Sequence, residues 1–594
     1  MKGYIIMIFH YIYFLDDSDE PAGLVDHLPR RLLAVEPEER VRRRSGIGGK
    51  GALLGRGVRL EADIISSDND EEDRSTASQQ VSMTNDHQWK RKNPDMVGTC
   101  TPSFVKPVLS TEHQEKLQNC KTAFDYYKIF NDDTFAEDTV YQSKLYANQK
   151  GFANKDEISV DVLRCTEAVL LHSGYNSVPR RKMLWESKPD CRNELITNAV
   201  RRREVDAMLR SLHFRDNTQI DSDNYYKVRP IFDNLNKSIS WFKDNEKFSV
   251  DEVMIPYYGR HSSKQYIRGK PVRYGFKVWS LCTSDGAGCW FEPYCGRSTR
   301  VEDHGLGQGP NVVIECVNKT QLSPGSELYF DNLFTSFPLL DALSLKQIAG
   351  TGTVRKNKLN KVPIISKDDL EKKSVERGFS DVAYRNDQVL VAWRDNKGVY
   401  MASNKFGSEA NTTCRRFCRA KHKYIQVPIP DMFKAYNNNM GGVDLLDSMV
   451  AVYRVPYRIR KWWFAIYSWS LSIYAVNGWR LRMKTTGQKE PFLDFLRELC
   501  IEMFLQHGKP YLKKPLTSTH EASSRFDGLN HWIVNTDLDA QGKPKRRNCK
   551  NCSLKKKPDM KAAYICEKCN VPLHVNCFKE KFQKKKICHN KVGN

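Results

Sequence analysis

At 594 residues with 40% hydrophobic content, the chain is long enough for several domains and at least one large core, which excludes a wholly disordered protein. Its 94 Lys and Arg against 71 Asp and Glu leave a net charge of +23, which suits a polyanionic partner, nucleic acid first and an anionic membrane second. The 17 cysteines are an odd number, and six of them lie between Cys549 and Cys588, which points to metal binding in a reducing compartment rather than a secreted disulfide framework.

The first 115 residues are polar and irregular, with a Gly-rich stretch (GIGGKGALLGRG) and acidic runs at Asp16–Glu20 and Asp68–Asp73, and are expected to be disordered. Tyr4–Phe14 has the length of a signal-peptide core, but it contains His10 and three tyrosines and runs into LDDSDE without a small-residue cleavage site, so it is a weak targeting signal. Helical patterns follow from about Gln114 to Asn245, as in Ala199–Phe214. From Phe248 the character changes: KFSVDE, YGFKVWSLCT, CWFEPYCG and ELYFDN have the pattern of strands, with SDGAG (Ser284–Gly288) closing a hairpin. A less regular segment to Pro430 holds strand-like pieces such as Val389–Asp395. In NNNMGGVDLLDSM (Asn437–Met449) the apolar residues after the glycines fall at helical spacing. Trp462–Trp479 is an uncharged run of 18 residues, the minimum for a membrane span, but three serines, Asn477 and its aromatic bias fit a buried helix of a folded domain.

Among the acids, Asp251 follows a short alternating strand with Glu252 beside it, Asp331 ends the strand ELYF, and Asp444 opens a helix with Asp447 one turn on. Each alone fits a cap or a turn residue, since acids near a helix N-terminus satisfy free N–H groups. Together they are a candidate magnesium site, because hard cations want carboxylate oxygens and a metal pair assists in-line phosphoryl displacement. Basic and aromatic residues are interleaved nearby. Lys264, Arg268, Lys270, Arg273 and Lys277 stand beside Tyr266 and Tyr274; Arg355, Lys356 and Lys358 lie in VRKNK; Arg458, Arg460, Lys461 and Trp462 lie in RIRKWW. Lys and Arg neutralise phosphates and aromatics stack on unpaired bases, although any one cluster also fits a solvated basic face.

The tail spaces Cys549, Cys552, Cys566, Cys569, His574 and Cys577 as C-x2-C-x13-C-x2-C-x4-H-x2-C, which fits tetrahedral zinc. Six ligands are too many for one ion and too few for two closed sites, so one or two Zn2+ are expected. On cross-brace logic the first site is Cys549, Cys552, His574 and Cys577, and the second takes Cys566 and Cys569, with Cys588 and His589 as candidates to complete it. From Lys543 onward 16 Lys and Arg face three acids, a net of 16 − 3 = +13, which favours DNA and also suits a nuclear import signal at Lys543–Arg547. The six-ligand order also resembles the start of a PHD finger, without its final C-x2-C. CRRFC (Cys414–Cys418) with His422 is weak as a metal site and is taken as structural.

VDEVMIPYYGR…RGKPVRYGFKVW, YFDNLFTSFPLL, GTGTVRKNK and NMGGVDLLDSM, in that order, resemble the piggyBac family of DNA transposases; Val178–Ser187, Ser211–Asn217, Lys227–Asn236 and Arg525–Val534 match it as well. The resemblance covers roughly residues 115–594. It implies an α/β fold with an RNase H-like catalytic core, an inserted β-rich subdomain, a flanking helical dimerisation and DNA-binding domain and a C-terminal cross-brace zinc finger. After the disordered region 1–115 that composition gives, the expected boundaries are helical parts at 116–246 and 456–524, core parts at 247–355 and 431–455, an insertion at 356–430, a linker at 525–544 and a Cys-rich domain at 545–594. It further implies catalysis by Asp251, Asp331 and Asp444, with Asp447 supporting, on two Mg2+ or Mn2+ ions. The activity would be cut-and-paste transposition through 3′-OH and hairpin intermediates, integration at TTAA, a homodimer on double-stranded DNA terminal repeats, a nuclear location and no membrane partner. Trp462 occupies the place of a family tryptophan that helps hold distorted hairpin DNA. The rivals are a domesticated, catalytically silent DNA- or chromatin-binding protein, and a tail that is a protein-interaction module of the PHD or RING type.

Overall fold

The computed structural model describes residues 89–91, 101–153, 155–188, 190–360, 362–418, 422–457, 459–509, 532–554, 560–567 and 570–578. The readings of residues 1–88 and 92–100, the targeting signal included, fall outside the described residues, as do those of Arg458, Cys569, Cys588, His589 and most of Arg525–Val534. The expected disorder does not hold to residue 115: Lys90 pairs with Tyr384, and Thr111–Asn119 form a helix whose N-terminus Ser110 caps, accepting the His113 N–H.

A helical layer joins α1 (Ala123–Phe130) and α2 (Val160–Tyr175) to α6 (Trp462–Thr486) and α7 (Phe492–His507), from the far end of the folded chain; α3 (Gln308–Thr320), α4 (Asp431–Asn439) and α5 (Gly442–Val452) lie between them in sequence. α1 starts at a capping box, in which the Asp125 N–H donates to Thr122 Oγ1 and the Thr122 N–H to the Asp125 carboxylate. Glu498 and Glu502 of α7 accept its next free N–H groups, from Ala123 and Phe124, at 3.1 and 2.9 Å. α6 is apolar on nearly every side and buried along most of its length, which is why it resembled a membrane span in sequence. No described helix is long and apolar enough to cross a membrane. Inside the layer, Arg164 and Glu167 form a fully buried ion pair at 3.1 Å, and Asn131 and the Tyr467 hydroxyl also donate to Glu167.

Against the helices lies one large mixed sheet. Its strands are β1 (Lys247–Pro256), β2 (Gln265–Tyr266), β3 (Tyr274–Thr283), β4 (Gly288–Pro293), β5 (Glu327–Phe330), β6 (Ala349–Thr353), β7 (Ser380–Arg385), β8 (Gln388–Arg394) and β9 (Gly398–Ser403). The order is β2-β3-β1-β5-β6-β9-β8-β7, with β4 also paired to β3. β1 runs antiparallel to β3 and parallel to β5, and β5 runs parallel to β6. Ser284–Gly288 closes the β3–β4 hairpin as expected. Asn477 of α6 brackets Gly288, accepting its N–H and donating to its carbonyl, both at 2.8 Å, and so fixes the helical layer to this hairpin.

Two local expectations change. Asp251 does not end a short strand; it sits in the middle of β1, because Val253–Ile255 continue the strand as a buried run. The 356–430 segment does not stand wholly apart either, since β9 pairs with β6 and so carries β7–β9 onto the main sheet, covering an edge that would otherwise expose unpaired backbone. A separate ribbon, β10 (Thr412–Cys418) with β11 (Lys423–Ile429), packs over a small core of Tyr329, Trp393, Val427, Ile429 and Phe433. Near the C-terminus, Ile533–Asn535, expected in a linker, pair with Tyr564–Cys566, which in turn pair with Val571–Pro572.

Candidate active site

The site begins with strand register. Val250 of β1 lies opposite Phe330 of the parallel β5, so the next residue on each chain, Asp251 and Asp331, is an aspartate at the same level. Ser249 and Asp251 share one face of β1 because side chains alternate along a strand. α5 docks on that face: the Val443 N–H donates to Ser249 Oγ at 3.1 Å. The docking is close. A Cβ at Gly442 would stand 2.2 Å from the Thr283 carbonyl oxygen and 2.7 Å from Ser249 Oγ, whereas one at Gly441 would meet nothing within 4 Å. Of the two glycines, only the second is demanded by packing. Asp444 follows in the first turn of α5 and Asp447 one turn later.

The carboxylates share an electrostatic neighbourhood. Burial pushes Asp251 well above the usual carboxylate range, with Glu252 and Asp331 adding to the rise and Lys270 opposing it. Burial also raises Asp331, and Glu252 reinforces this against the Leu333 N–H, Arg355 and Lys270. Asp444 and Asp447 are raised by burial too, with Lys270 opposing both and Arg454 opposing the second. Glu252 is drawn the other way: burial would raise it, but Lys277 and Lys270 hold it low. Lys270 Nζ lies 2.8 Å from Glu252 Oε1, and Lys277 Nζ lies 3.8 Å from Glu252 Oε2 and 3.8 Å from the centre of the Trp279 ring.

Such a set has the chemistry of a cation site. The donors are all carboxylate oxygens, which suits magnesium or manganese rather than a softer ion, and a divalent cation relieves the desolvation that raises them. Among the described residues, no three of these carboxylates bring oxygens within 4.8 Å of one another. The Lys270 ammonium supplies the local counter-charge.

The basic residues named from sequence divide accordingly. Lys270 and Lys277 turn inward onto Glu252, towards the surplus of acid beneath them. Arg268 and Arg273 are exposed, and Lys264 donates to the Gly259 carbonyl at 2.9 Å. Arg355 donates to Asn332 Oδ1 at 2.8 Å and Lys358 to the Thr335 carbonyl at 2.6 Å, so both flank the loop after Asp331; Lys356 is paired to Asp368 at 3.0 Å. Arg460 is exposed, Lys461 donates to the Arg210 carbonyl at 2.9 Å, and Trp462 is half-buried beside His261, ring centres 4.4 Å apart. Sequence reasoning missed Ser249 as the docking point of α5 and Lys270 as a counter-charge. A serine two residues before the first aspartate was the one available signal.

In the Cys-rich end, ligand atoms of Cys549, Cys552, His574 and Cys577 all lie within 4.8 Å of one another. Cys552 Sγ is 3.4 Å from His574 Nδ1 and 3.6 Å from Cys577 Sγ. His574 Nε2 lies 2.9 Å from the Lys561 carbonyl, so an Nε2–H donated there leaves Nδ1 free to face the thiols. Three sulfurs and one imidazole fit tetrahedral zinc. Cys566 is buried in the neighbouring strand. A second mixed group, Glu302, His304 and Glu315, is also close-set, but Glu302 is exposed and Glu315 is ion-paired to Lys319 at 3.6 Å.

Residues 122–479 match the family model described as Transposase IS4. The chain is 36% identical over 466 residues, 77% of its length and 75% of the relative's, to human PiggyBac transposable element-derived protein 3. It is 32% identical over 462 residues, 76% of each chain, to human PiggyBac transposable element-derived protein 2. A solved structure, the piggyBac transposase synaptic complex with hairpin DNA, aligns with a TM-score of 0.57 at 21% identity over 77% of this chain and 98% of that one, a likeness of fold. The chain belongs to the piggyBac transposase family.

Proposed function

We propose that the chain is a cut-and-paste DNA transposase in which Asp251, Asp331 and Asp444 hold two magnesium or manganese ions and Asp447 supports Asp444. The observation that carries this reading is the gathering of four desolvated carboxylates, all raised, around one lysine at matched levels of two parallel strands and a helix start. When bound, the ions would supply activation of the attacking hydroxyl and neutralisation of the phosphate under attack. The protein's own part is positional. Ser249 and Gly442 set α5, and hence Asp444, against β1. Glu252 keeps Lys270 and Lys277 beside the aspartates, and Arg355 and Lys358 offer positive charge at the Asp331 loop, where a DNA strand would pass. The core is read as RNase H-like, with the helical layer serving dimerisation and DNA binding.

The Cys549, Cys552, His574 and Cys577 set would bind one zinc, and the basic tail around it would recognise transposon ends; Cys566 belongs to a second site with residues beyond those described. A homodimer acting on two element ends in the nucleus, with integration at TTAA, completes the reading. Excision in cells tests it, using a reporter interrupted by the matching element with the wild type and Asp331→Asn. Restored reporter with an intact TTAA, lost in the variant, supports the proposal. No excision by a wild type that still binds terminal-repeat DNA favours the domesticated binder.

A further inference from the structure

The CRRFC stretch is structural on one face only. On the inner face of the β10–β11 ribbon, Cys414 pairs with Val427 and Arg416 with Ile425. These residues lie over the Trp393 and Phe433 core, Arg416 Nε is 3.1 Å from Asp395 Oδ2, and Trp393 Nε1 donates to the Pro428 carbonyl at 3.0 Å. The outer face carries Thr413, Arg415 and Phe417 opposite Pro428, Gln426 and Tyr424. Phe417 is 47% exposed and Tyr424 58%, exposures that a folded domain seldom leaves side by side without a use. Their ring centres are 5.4 Å apart, edge to face, and the Arg415 guanidinium lies 4.0 Å from the Tyr424 centroid.

Charge identifies the occupant. From Thr412 to Ile429 the chain carries Arg415, Arg416, Arg419, Lys421 and Lys423 and no acid. An exposed aromatic pair with a stacked guanidinium inside an all-positive segment is the surface that unpaired bases and their phosphates fit. The ribbon is also firmly mounted. Ile429 leads through Pro430 into α4, α5 with Asp444 follows within a few residues, and Tyr329, two residues before Asp331, shares the ribbon's core.

We propose that the outer face of this ribbon binds DNA, Phe417 and Tyr424 stacking on unpaired bases and Arg415 contacting a phosphate. The proposal rests on the DNA-processing reading and gives it a second contact surface. Fluorescence anisotropy of the full chain, with a labelled duplex bearing a single-stranded end and the same duplex blunt-ended, tests it. The Phe417→Ala/Tyr424→Ala variant is expected to bind the single-stranded-end probe roughly tenfold or more weakly and to lose most of the preference over the blunt one. Arg415→Gln is expected to lower the salt dependence by about one counterion. Because the replaced side chains are exposed, thermal unfolding should match the wild type. Unchanged affinity and salt slope, with the wild type binding both probes, overturns the ribbon proposal alone. Self-association lost in the variant while DNA affinity holds overturns it in favour of contact between copies. Failure of the wild type to bind either probe overturns the DNA-processing reading with it.

Discussion

Gly442→Ala is the sharpest perturbation the structure offers. The new Cβ would lie 2.2 Å from the Thr283 carbonyl oxygen, 3.4 − 2.2 = 1.2 Å inside ordinary contact, and 2.7 Å from Ser249 Oγ. Neither neighbour yields readily, because Thr283 is backbone at the end of a central strand and Ser249 is held by the Val443 N–H. α5 must therefore lift by about an ångström, and overpacking of this kind typically costs about 1–3 kcal/mol. Asp444 moves with the helix. A displacement of that size is worth on the order of 100-fold in rate where reacting groups must align. Gly441→Ala is the internal control: its φ of −76° suits any residue and its Cβ would meet nothing, so a change within about 0.5 kcal/mol is expected. Thermal unfolding and excision frequency, measured for both, check the pair. Equal behaviour of the two variants, or an active and stable Gly442→Ala, refutes the reasoning that α5 is positioned by this contact.

Ser249→Ala removes the acceptor of the Val443 N–H and should cost about 0.5–2 kcal/mol by chemical denaturation, with the β1 register intact. His172 and His213 are buried and lowered by burial to about 4 from an ordinary 6.5, so between those values the unfolded chain binds more protons; stability should fall as pH drops from about 6.5 to about 4, by on the order of 3 kcal/mol for each, and substitution by Gln should flatten that part of the curve. Removal of zinc by a chelator, or His574→Ala, should abolish protection of the Tyr564–Cys566 amides against hydrogen exchange while leaving β1 and β5 protected. Added Mn2+ should raise the unfolding temperature of the wild type more than that of Asp331→Asn, since the extra stability reflects binding to the native carboxylates.

Much of this was legible in the sequence for physical reasons. A polar residue at the end of an apolar run marks a strand end, which located Asp331, and Gly-Gly before a helical period located Asp444. Thiol and imidazole spacing is local and nearly self-sufficient, so the Cys549, Cys552, His574 and Cys577 set could be written down before the fold. What was not legible depends on contacts across long loops. The pairing of Val250 with Phe330 spans 80 residues, and nothing in either segment specifies it. The pairing of Lys270 and Lys277 with Glu252 could not be read either, because sequence shows a charge but not the direction in which its long stem turns. The attachment of β7–β9 to β6 was likewise hidden, since an edge strand and an independent sheet share one pattern.

On the proposed function, the clustered aspartates cut DNA with divalent metal. Strand cleavage by the purified chain on a labelled duplex carrying the matching element end, in Mg2+, measures it most directly. The expected products are a nick leaving a 3′-OH at the element boundary and then a hairpin, both absent with Asp331→Asn although that variant still binds the duplex. Cleavage that survives Asp331→Asn, or a wild type that binds the duplex in Mg2+ or Mn2+ and leaves it intact, would rule out these aspartates as the cutting site.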